Sequence, residues 1–129
     1  MQTFKKEERL YKKKTIRILF EEGKKFHVYP FKIIWMDIES DSKYPVRILI
    51  SVSKRFFKKA VDRNKIRRQI REVYRKNKSL FYEYLSRQKK HCVFAILYTD
   101  GAFIPFKELE KKIIIILQRL IDEHEKTFK

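Results

Sequence analysis

The chain has 129 residues, with 33 Lys and Arg against 16 Asp and Glu, which leaves a formal net charge of +17 at pH 7. A field of that sign indicates a polyanionic partner, either nucleic acid or an anionic membrane surface, and it does not define a fold. Aromatic residues make up 15% of the chain, which is too much for a disordered basic tail. We therefore expect one folded domain over residues 1–129.

The cysteine content and the hydropathy pattern bear on localisation. Cys92 is the only cysteine, so it cannot form an internal disulfide, and its apolar surroundings predict a buried thiol in a reducing compartment. Residues 1–14 are polar and lack the apolar stretch of a secretory signal. The longest apolar run, residues 113–117, is far too short to cross a bilayer. We expect a cytoplasmic protein without a membrane partner.

The first half of the chain predicts one helix and two strands. Apolar residues at helical spacing predict a helix over residues 12–22, which ends at Gly23. A run rich in Phe, Ile and Trp predicts a strand over residues 28–38, and the polar segment 37–45 predicts a hairpin loop. Residues 46–53 alternate, so the even-numbered side chains face the core while Ser51 and Ser53 face outward. One face of this strand is therefore available for binding.

The second half predicts three helices around one strand. Residues 59–75 predict a long helix, and residues 79–88 predict a shorter one that Ser79 caps. The apolar run 92–98 predicts a strand buried on both faces. Apolar residues recurring at i, i+3 and i+7 predict a long amphipathic helix from 105 to 124. The predicted order is α-β-β-α-α-β-α, which is an α+β domain.

The helix predicted over residues 59–75 carries four arginines spaced four residues apart, away from its apolar side. They are Arg63, Arg67, Arg71 and Arg75. Like charges at this spacing destabilise a helix, and a merely solvated side would usually include Glu. Between residues 54 and 78, twelve basic residues stand against only Asp62 and Glu72. Since Arg binds phosphate in a bidentate manner, we predict that this arginine stripe binds nucleic acid.

The sequence contains no catalytic constellation. His27, His91 and His124 have no Cys or His at metal-ligand spacing, so the sequence predicts no metal site. Two glycines cannot form a glycine-rich phosphate loop, and no nucleophile motif is present. We therefore predict no catalytic residue in this chain, and any nuclease chemistry would need a catalyst elsewhere.

Two nearby segments carry a resemblance to a known family. Residues 49–55 read Leu-Ile-Ser-Val-Ser-Lys-Arg, and residues 59–72 read Lys-Ala-Val-Asp-Arg-Asn-Lys-Ile-Arg-Arg-Gln-Ile-Arg-Glu. Together they closely resemble the signature of the protein subunit of bacterial ribonuclease P. Arg9, Leu10, Phe20 and Gly23 are similar to the opening helix of that family. The resemblance implies an α+β two-layer sandwich with a left-handed β-α-β crossover.

The resemblance also implies a function. The chain would be the protein cofactor of a ribonucleoprotein whose separate catalytic RNA removes the 5′ leader from precursor tRNA. Its partners would be that RNA and precursor tRNA, not DNA, and the Mg²⁺ cofactor would be bound mainly by the RNA. The implied catalytic-RNA-binding residues are Lys59, Arg63, Asn64, Lys65, Arg67, Arg68, Arg71 and Arg75. The implied leader-binding cleft, between the first helix and the open sheet face, comprises Ile16, Phe20, Lys32, Ile34, Ser51, Ser53 and Lys54.

Three positions depart from the family pattern. Lys65 stands where the family has an arginine, which keeps the charge but loses a bidentate donor. Ile16 and Ile34 stand where relatives often have aromatics, so base stacking in the cleft would depend on Phe20. Helical spacing alone predicts Phe20 as a core residue, and only the resemblance places it in the cleft.

Other interpretations stay open at this point. Phe56 and Phe57 precede the arginine-rich helix and could either pack as a hydrophobic staple or contact RNA. A protein that binds ribosomal or other structured RNA would have the same charge and aromatic content. A helix-turn-helix DNA-binding protein is disfavoured, because two predicted strands, not a short helix and tight turn, precede the arginine-rich helix.

Overall fold

The computed structural model describes the backbone of residues 4–128 and the side chains of residues 4–126. A short 3-10 turn at Lys6–Glu8 precedes the regular elements. These are α1 (Lys13–Glu22), β1 (Lys24–Val28), β2 (Phe31–Ile38), β3 (Val46–Val52), α2 (Ala60–Asn77), α3 (Ser79–Gln88), β4 (His91–Tyr98) and α4 (Phe106–Phe128). The predicted α+β class is confirmed. Among the described helices, none is both long and apolar enough to span a membrane.

The four strands form one sheet in the order β1-β2-β4-β3. Strand β4 pairs antiparallel with β2 and parallel with β3. The predicted hairpin between β2 and β3 is therefore wrong, because β4 lies between them. Helices α2 and α3 connect the two parallel strands and form a β-α-β crossover. The strand predicted over residues 28–38 is β2, and it begins only at Phe31, after a turn at Tyr29 and Pro30. Strand β1, which pairs antiparallel with β2, was not predicted, so the chain has one strand more than the predicted order α-β-β-α-α-β-α.

The main core lies between one sheet face and helices α2, α3 and α4. The even-numbered residues of β3 face this core, as the alternation predicts. Helix α1 covers part of the opposite face, where Leu19 packs with Ile34, Val93 and Ala95. Strand β4 is therefore covered on both faces over much of its length, which confirms the interpretation of its apolar run.

The segment before α1 covers the free edge of β3. The N–H of Leu10 donates to the carbonyl oxygen of Ile48 at 2.9 Å. The Glu8 carboxylate is fully buried and pairs with Lys78, and the Tyr82 hydroxyl donates to it at 2.6 Å. Burial raises the pKa of Tyr82 far above its usual range, so the phenol stays a neutral donor. These contacts hold the N-terminal segment against the start of α3 and cover an edge that is otherwise open to pairing with another chain.

A second buried polar cluster holds α4 on the sheet. The imidazole of His124 lies with Nδ1 2.6 Å from the Leu120 carbonyl oxygen and Nε2 2.9 Å from the Asp37 carboxylate. Its ring lies 4.1 Å from that of Trp35. Cys92 belongs to the same cluster, and burial, followed by the Asp37 charge, raises the pKa of its thiol well above the usual value. Spacing along the chain does not predict this cluster, because three separate elements bring its members together.

Gly23 allows α1 to lie close to the sheet. A Cβ added at this position would lie 2.6 Å from Cγ2 of Ile34 and would meet the backbone oxygen of Leu19. Both atoms belong to packed elements, so we expect Gly23→Ala to lower the free energy of unfolding by about 1–3 kcal/mol. Urea denaturation measures this as a lower midpoint at unchanged slope. Gly101→Ala is the control, since its Cβ would meet only Phe56, at 3.7 Å. An equal fall in both variants would contradict this explanation.

Candidate nucleic-acid interface

Helix α2 separates an apolar side from a cationic side, as predicted. Ile66, Ile70, Val73 and Tyr74 are buried. The four arginines of the stripe are each half-buried along the flank of the helix. Among the residues that the resemblance assigns to catalytic-RNA binding, the exposed ones are Lys59, Asn64, Lys65 and Arg68. The cationic side is therefore wider than the stripe, and its outermost side chains do not belong to the four arginines.

Two of the stripe arginines make contacts within the protein. Arg63 donates from Nη1 to the carbonyl oxygens of Phe57, at 2.7 Å, and Lys58, at 2.9 Å. It therefore holds the loop that precedes α2. Arg75 pairs with Glu72 at 2.7 Å, and this hydrogen bond raises the pKa of Arg75. Both guanidinium groups therefore have structural partners in the free protein.

The middle of the stripe lies beside Arg9, which spacing within α2 could not identify. Arg71 and Arg9 line a shallow groove next to Leu49 of β3. Partial burial, followed by the charges of Arg9 and Arg67, lowers the pKa of Arg71. Arg67 also donates from Nη1 to the Asn64 side-chain oxygen at 2.6 Å. These three guanidinium groups repel one another, and a bound phosphate would relieve that repulsion.

The sheet face opposite the main core is open at one end. Lys32, Leu97 and Ser51 are register partners across β2, β4 and β3, so their side chains form one row. All three are half-buried. Adjacent strands lie about 4.8 Å apart, so this row is about 10 Å wide, which suits a single nucleic-acid strand. Leu97 is missing from the sequence-based set, because the apolar run that contains it predicts burial on both faces.

Helix α1 borders the open row with one flank. Its other flank, at Ile18 and Glu22, lines a separate cavity with Met36. Helical geometry places Ile16 and Phe20 on the flank that faces the open row. Ile16 is half-buried, whereas the Phe20 side chain is 38% exposed. Phe20 is therefore not the fully buried core residue that spacing alone predicts.

The remaining residues of the predicted cleft differ in accessibility. Ile34 is only 2% exposed and lies beneath Leu19, so it is not a side chain of the open cleft, contrary to expectation. The reason is the close approach of α1 that Gly23 permits. Ser53 accepts the N–H of Arg55 with its hydroxyl oxygen at 3.1 Å and so shapes the turn after β3. Lys54 is exposed on that turn.

Among the described residues, one group of close metal-ligating side chains has a donor set that does not suit Mg²⁺. A group of three close metal-ligating side chains among them is Asp37, Cys92 and His124, whose ligand atoms lie within 4.8 Å of one another. Mg²⁺ prefers oxygen ligands and retains water, whereas this group contains a thiol and an imidazole. No step that requires Mg²⁺ is therefore assigned to this cluster.

These features define the chain as a small basic α+β domain with a cationic helix beside a half-open sheet face. Residues 4–121 match the family model described as Ribonuclease P. The chain therefore belongs to the ribonuclease P protein family. It is a protein component of an endoribonuclease ribonucleoprotein that acts in tRNA processing with an RNA partner.

Relatives agree with this assignment. The chain is 35% identical to the ribonuclease P protein component of Porphyromonas gingivalis over 107 residues, which cover 82% of this chain and 77% of that protein. The corresponding protein of Petrotoga mobilis is 39% identical over 110 residues, covering 85% and 78% of the two chains.

Two solved structures confirm the fold. The RNase P protein of Staphylococcus aureus matches with a TM-score of 0.70 at 20% identity, over 88% of this chain and 94% of that one. The RNase P protein of Thermotoga maritima matches with a TM-score of 0.69 at 24% identity, over 87% and 96%.

Proposed function

We propose that this chain is the cytoplasmic protein cofactor of a ribonuclease P holoenzyme in which a separate catalytic RNA removes the 5′ leader from precursor tRNA. The cationic side of α2 binds the catalytic RNA, and the cleft between α1 and the open sheet face binds the leader. The holoenzyme depends on Mg²⁺ held mainly by the RNA. The observation that carries the proposal is that the two surfaces adjoin along β3.

The arrangement around β3 supports simultaneous contact with two RNA segments. Arg71 and Arg9 lie on the α2 side of this strand, where they line a groove with Leu49. Ser51 belongs to the open row on the sheet face. A structured RNA that binds the guanidinium groups would therefore lie next to a single strand held across the sheet.

The cleft offers three kinds of contact with a single strand. Lys32 supplies a positive charge for a phosphate, Ser51 supplies a hydroxyl that donates or accepts, and Phe20 supplies a ring for stacking. None of these contacts requires a particular base. The protein then contributes binding and orientation of the leader, which raises the effective concentration of precursor tRNA at the catalytic RNA.

Reconstitution tests the proposed function. Protein freed of RNA is combined with the ribonuclease P RNA of the same organism and a precursor tRNA. We expect no cleavage by the protein alone, and faster cleavage at the mature 5′ end by the combination than by the RNA alone at low Mg²⁺. Cleavage by RNA-free protein would contradict the proposal. Sequencing the RNA that co-purifies from cells is the second measurement, and ribosomal RNA as the main species would favour the alternative of a structured-RNA binding protein.

Leader binding at Phe20 is tested with precursors of graded leader length. In the reconstituted holoenzyme, we expect Phe20→Ala to weaken binding of leader-bearing precursor by about 1–3 kcal/mol, because the variant no longer stacks on a base. Binding of mature tRNA should change little. Ile115→Ala is a matched control, since Ile115 is an exposed apolar residue on α4, beyond the other sheet face. Equal losses at every leader length, including none, would mean that Phe20 acts elsewhere.

A further inference from the structure

The two phenylalanines before α2 have different environments. Phe57 is 4% exposed, and its ring packs edge to face against Tyr98 at 5.7 Å and Phe103 at 4.9 Å. Phe56 is 42% exposed and Phe103 is 56% exposed. Phe57 therefore anchors the loop in the core, while Phe56 and Phe103 present apolar rings to solvent.

The backbone around Phe56 is held by a hydrogen-bonded turn. The N–H groups of Phe56 and Phe57 both donate to the Ser53 carbonyl oxygen, at 3.3 and 3.1 Å. One side of the Phe56 ring lies against Gly101, where an added Cβ would be 3.7 Å away. The Arg55 guanidinium lies 5.7 Å from the ring centroid. A ring held in this way loses little conformational entropy when a ligand binds.

The charges around these rings indicate the kind of ligand. Lys54, Arg55, Lys58 and Lys59 are all exposed on the loop that carries Phe56. The neighbouring loop contributes Asp100, whose carboxylate accepts the Ala102 N–H at 3.3 Å. An apolar protein surface would have to desolvate several cations, and charged residues are depleted at the centres of protein interfaces. Single-stranded nucleic acid offers phosphates to the cations and base faces to the rings.

The position of the rings indicates which RNA segment they meet. Val52 ends β3, Tyr98 ends β4, and the two residues pair, so the loops 53–59 and 99–105 leave the sheet at the same end of the strands. The open row of Lys32, Leu97 and Ser51 lies one residue from that end of the strands. The loop that carries Phe56 therefore begins two residues after Ser51, which is the β3 member of the row, so a strand bound along the row reaches the start of this loop.

We propose that Phe56 and Phe103 form a second nucleotide-stacking site, the aromatic platform, which binds a base of the single-stranded 5′ leader beyond the cleft. This inference rests on the proposed function and adds a subsite to it. The platform extends the leader contact past the α1 cleft. Longer leaders thus gain affinity from two stacking positions, at Phe20 and at the platform.

The test is precursor affinity against leader length for wild type, Phe20→Ala and Phe56→Leu in the reconstituted holoenzyme. Leucine keeps an apolar side chain against Gly101 but removes the ring, and Phe103→Leu repeats the test at the second position. We expect Phe56→Leu to bind long leaders roughly tenfold more weakly, and only above a leader length greater than the one at which Phe20→Ala first weakens binding. The salt dependence should not change, because no cation is removed. Ile115→Ala again serves as the control.

Four outcomes would overturn the platform. If Phe56→Leu binds precursors of every leader length as tightly as the wild type, Phe56 contacts no RNA. If the variant loses as much affinity for tRNA without a leader, Phe56 contacts the catalytic RNA. A wild-type affinity that does not rise with leader length would contradict the proposed function and, with it, the leader as occupant. Stacking itself has an independent readout, which is quenching of 2-aminopurine in a single-stranded RNA by the protein alone. If that quenching persists in Phe56→Leu and Phe103→Leu, the platform does not stack bases.

Discussion

Replacing Lys78 with methionine should lower the free energy of unfolding by about 3–5 kcal/mol, because it leaves the Glu8 carboxylate buried without its counter-charge. Glu8 is fully buried, and Lys78 is only 7% exposed. The Tyr82 hydroxyl, at 2.6 Å, and the Lys5 N–H, at 2.5 Å, would remain as donors, but two neutral hydrogen bonds do not replace a buried counter-charge. Urea denaturation measures the change, and the N-terminal segment should lose protection in hydrogen exchange.

Two further variants sharpen this experiment. Arg87→Met removes the ion pair with Glu83 at 3.8 Å, and both of these side chains are largely exposed, so its effect should stay below about 1 kcal/mol. Combining Lys78→Met with Glu8→Leu should recover most of the lost stability, because no unpaired charge then remains. A loss as small as that of Arg87→Met would show that the buried pair contributes little to folding.

Changing Arg67 and Arg68 together to alanine should weaken assembly with the catalytic RNA by about 3 kcal/mol, or roughly two orders of magnitude, if each makes one charge-assisted hydrogen bond. Arg68 is exposed and Arg67 is half-buried, with Asn64 as its hydrogen-bond partner. The log-log salt slope should fall in magnitude by about 0.7–0.9 for each phosphate that the variant no longer neutralises. The free energy of unfolding should change by only about 0.5 kcal/mol, so the thermal midpoint should shift little.

The matched control is the double variant Lys107→Ala and Lys111→Ala, which removes two exposed cations from α4 and reduces the net charge equally. Its affinity should remain close to that of the wild type if α2 binds the RNA specifically. Equal losses in the two double variants would mean that only the overall charge matters. A large fall in the melting temperature of the Arg67 and Arg68 variant would instead assign these side chains a structural role.

Residue spacing within α2 predicts which side of the helix is buried and which is exposed. Its apolar and cationic sides follow from residue spacing alone, because a helix turns through the same angle at each residue. The burial of Ile66 and Ile70 and the exposure of Arg68 agree with that pattern. The resemblance to the ribonuclease P protein family depended on the same segment, and the family match confirms it.

The pairing of the strands could not be predicted from local residue spacing. Nothing in the spacing of residues 28–53 shows that β4, some 40 residues later, inserts between β2 and β3. The same limit explains Leu97, since an apolar run predicts burial but does not show that α1 leaves one end of the sheet face open. It also explains Ile34, whose burial depends on how closely α1 approaches at Gly23.

The sequence by itself determined the net charge, the helices with their apolar sides, the alternation of β3 and the family, because each of these depends on residues that are near one another in the chain. Only the tertiary structure decided that Arg9 lies beside Arg71, that Phe20 is partly exposed and that Phe56 is exposed while Phe57 is buried. It also brought His124 against Asp37. The physical reason is that each of these contacts joins separate elements. Their relative placement follows from packing and strand register, which the periodicity of apolar residues within one element does not specify.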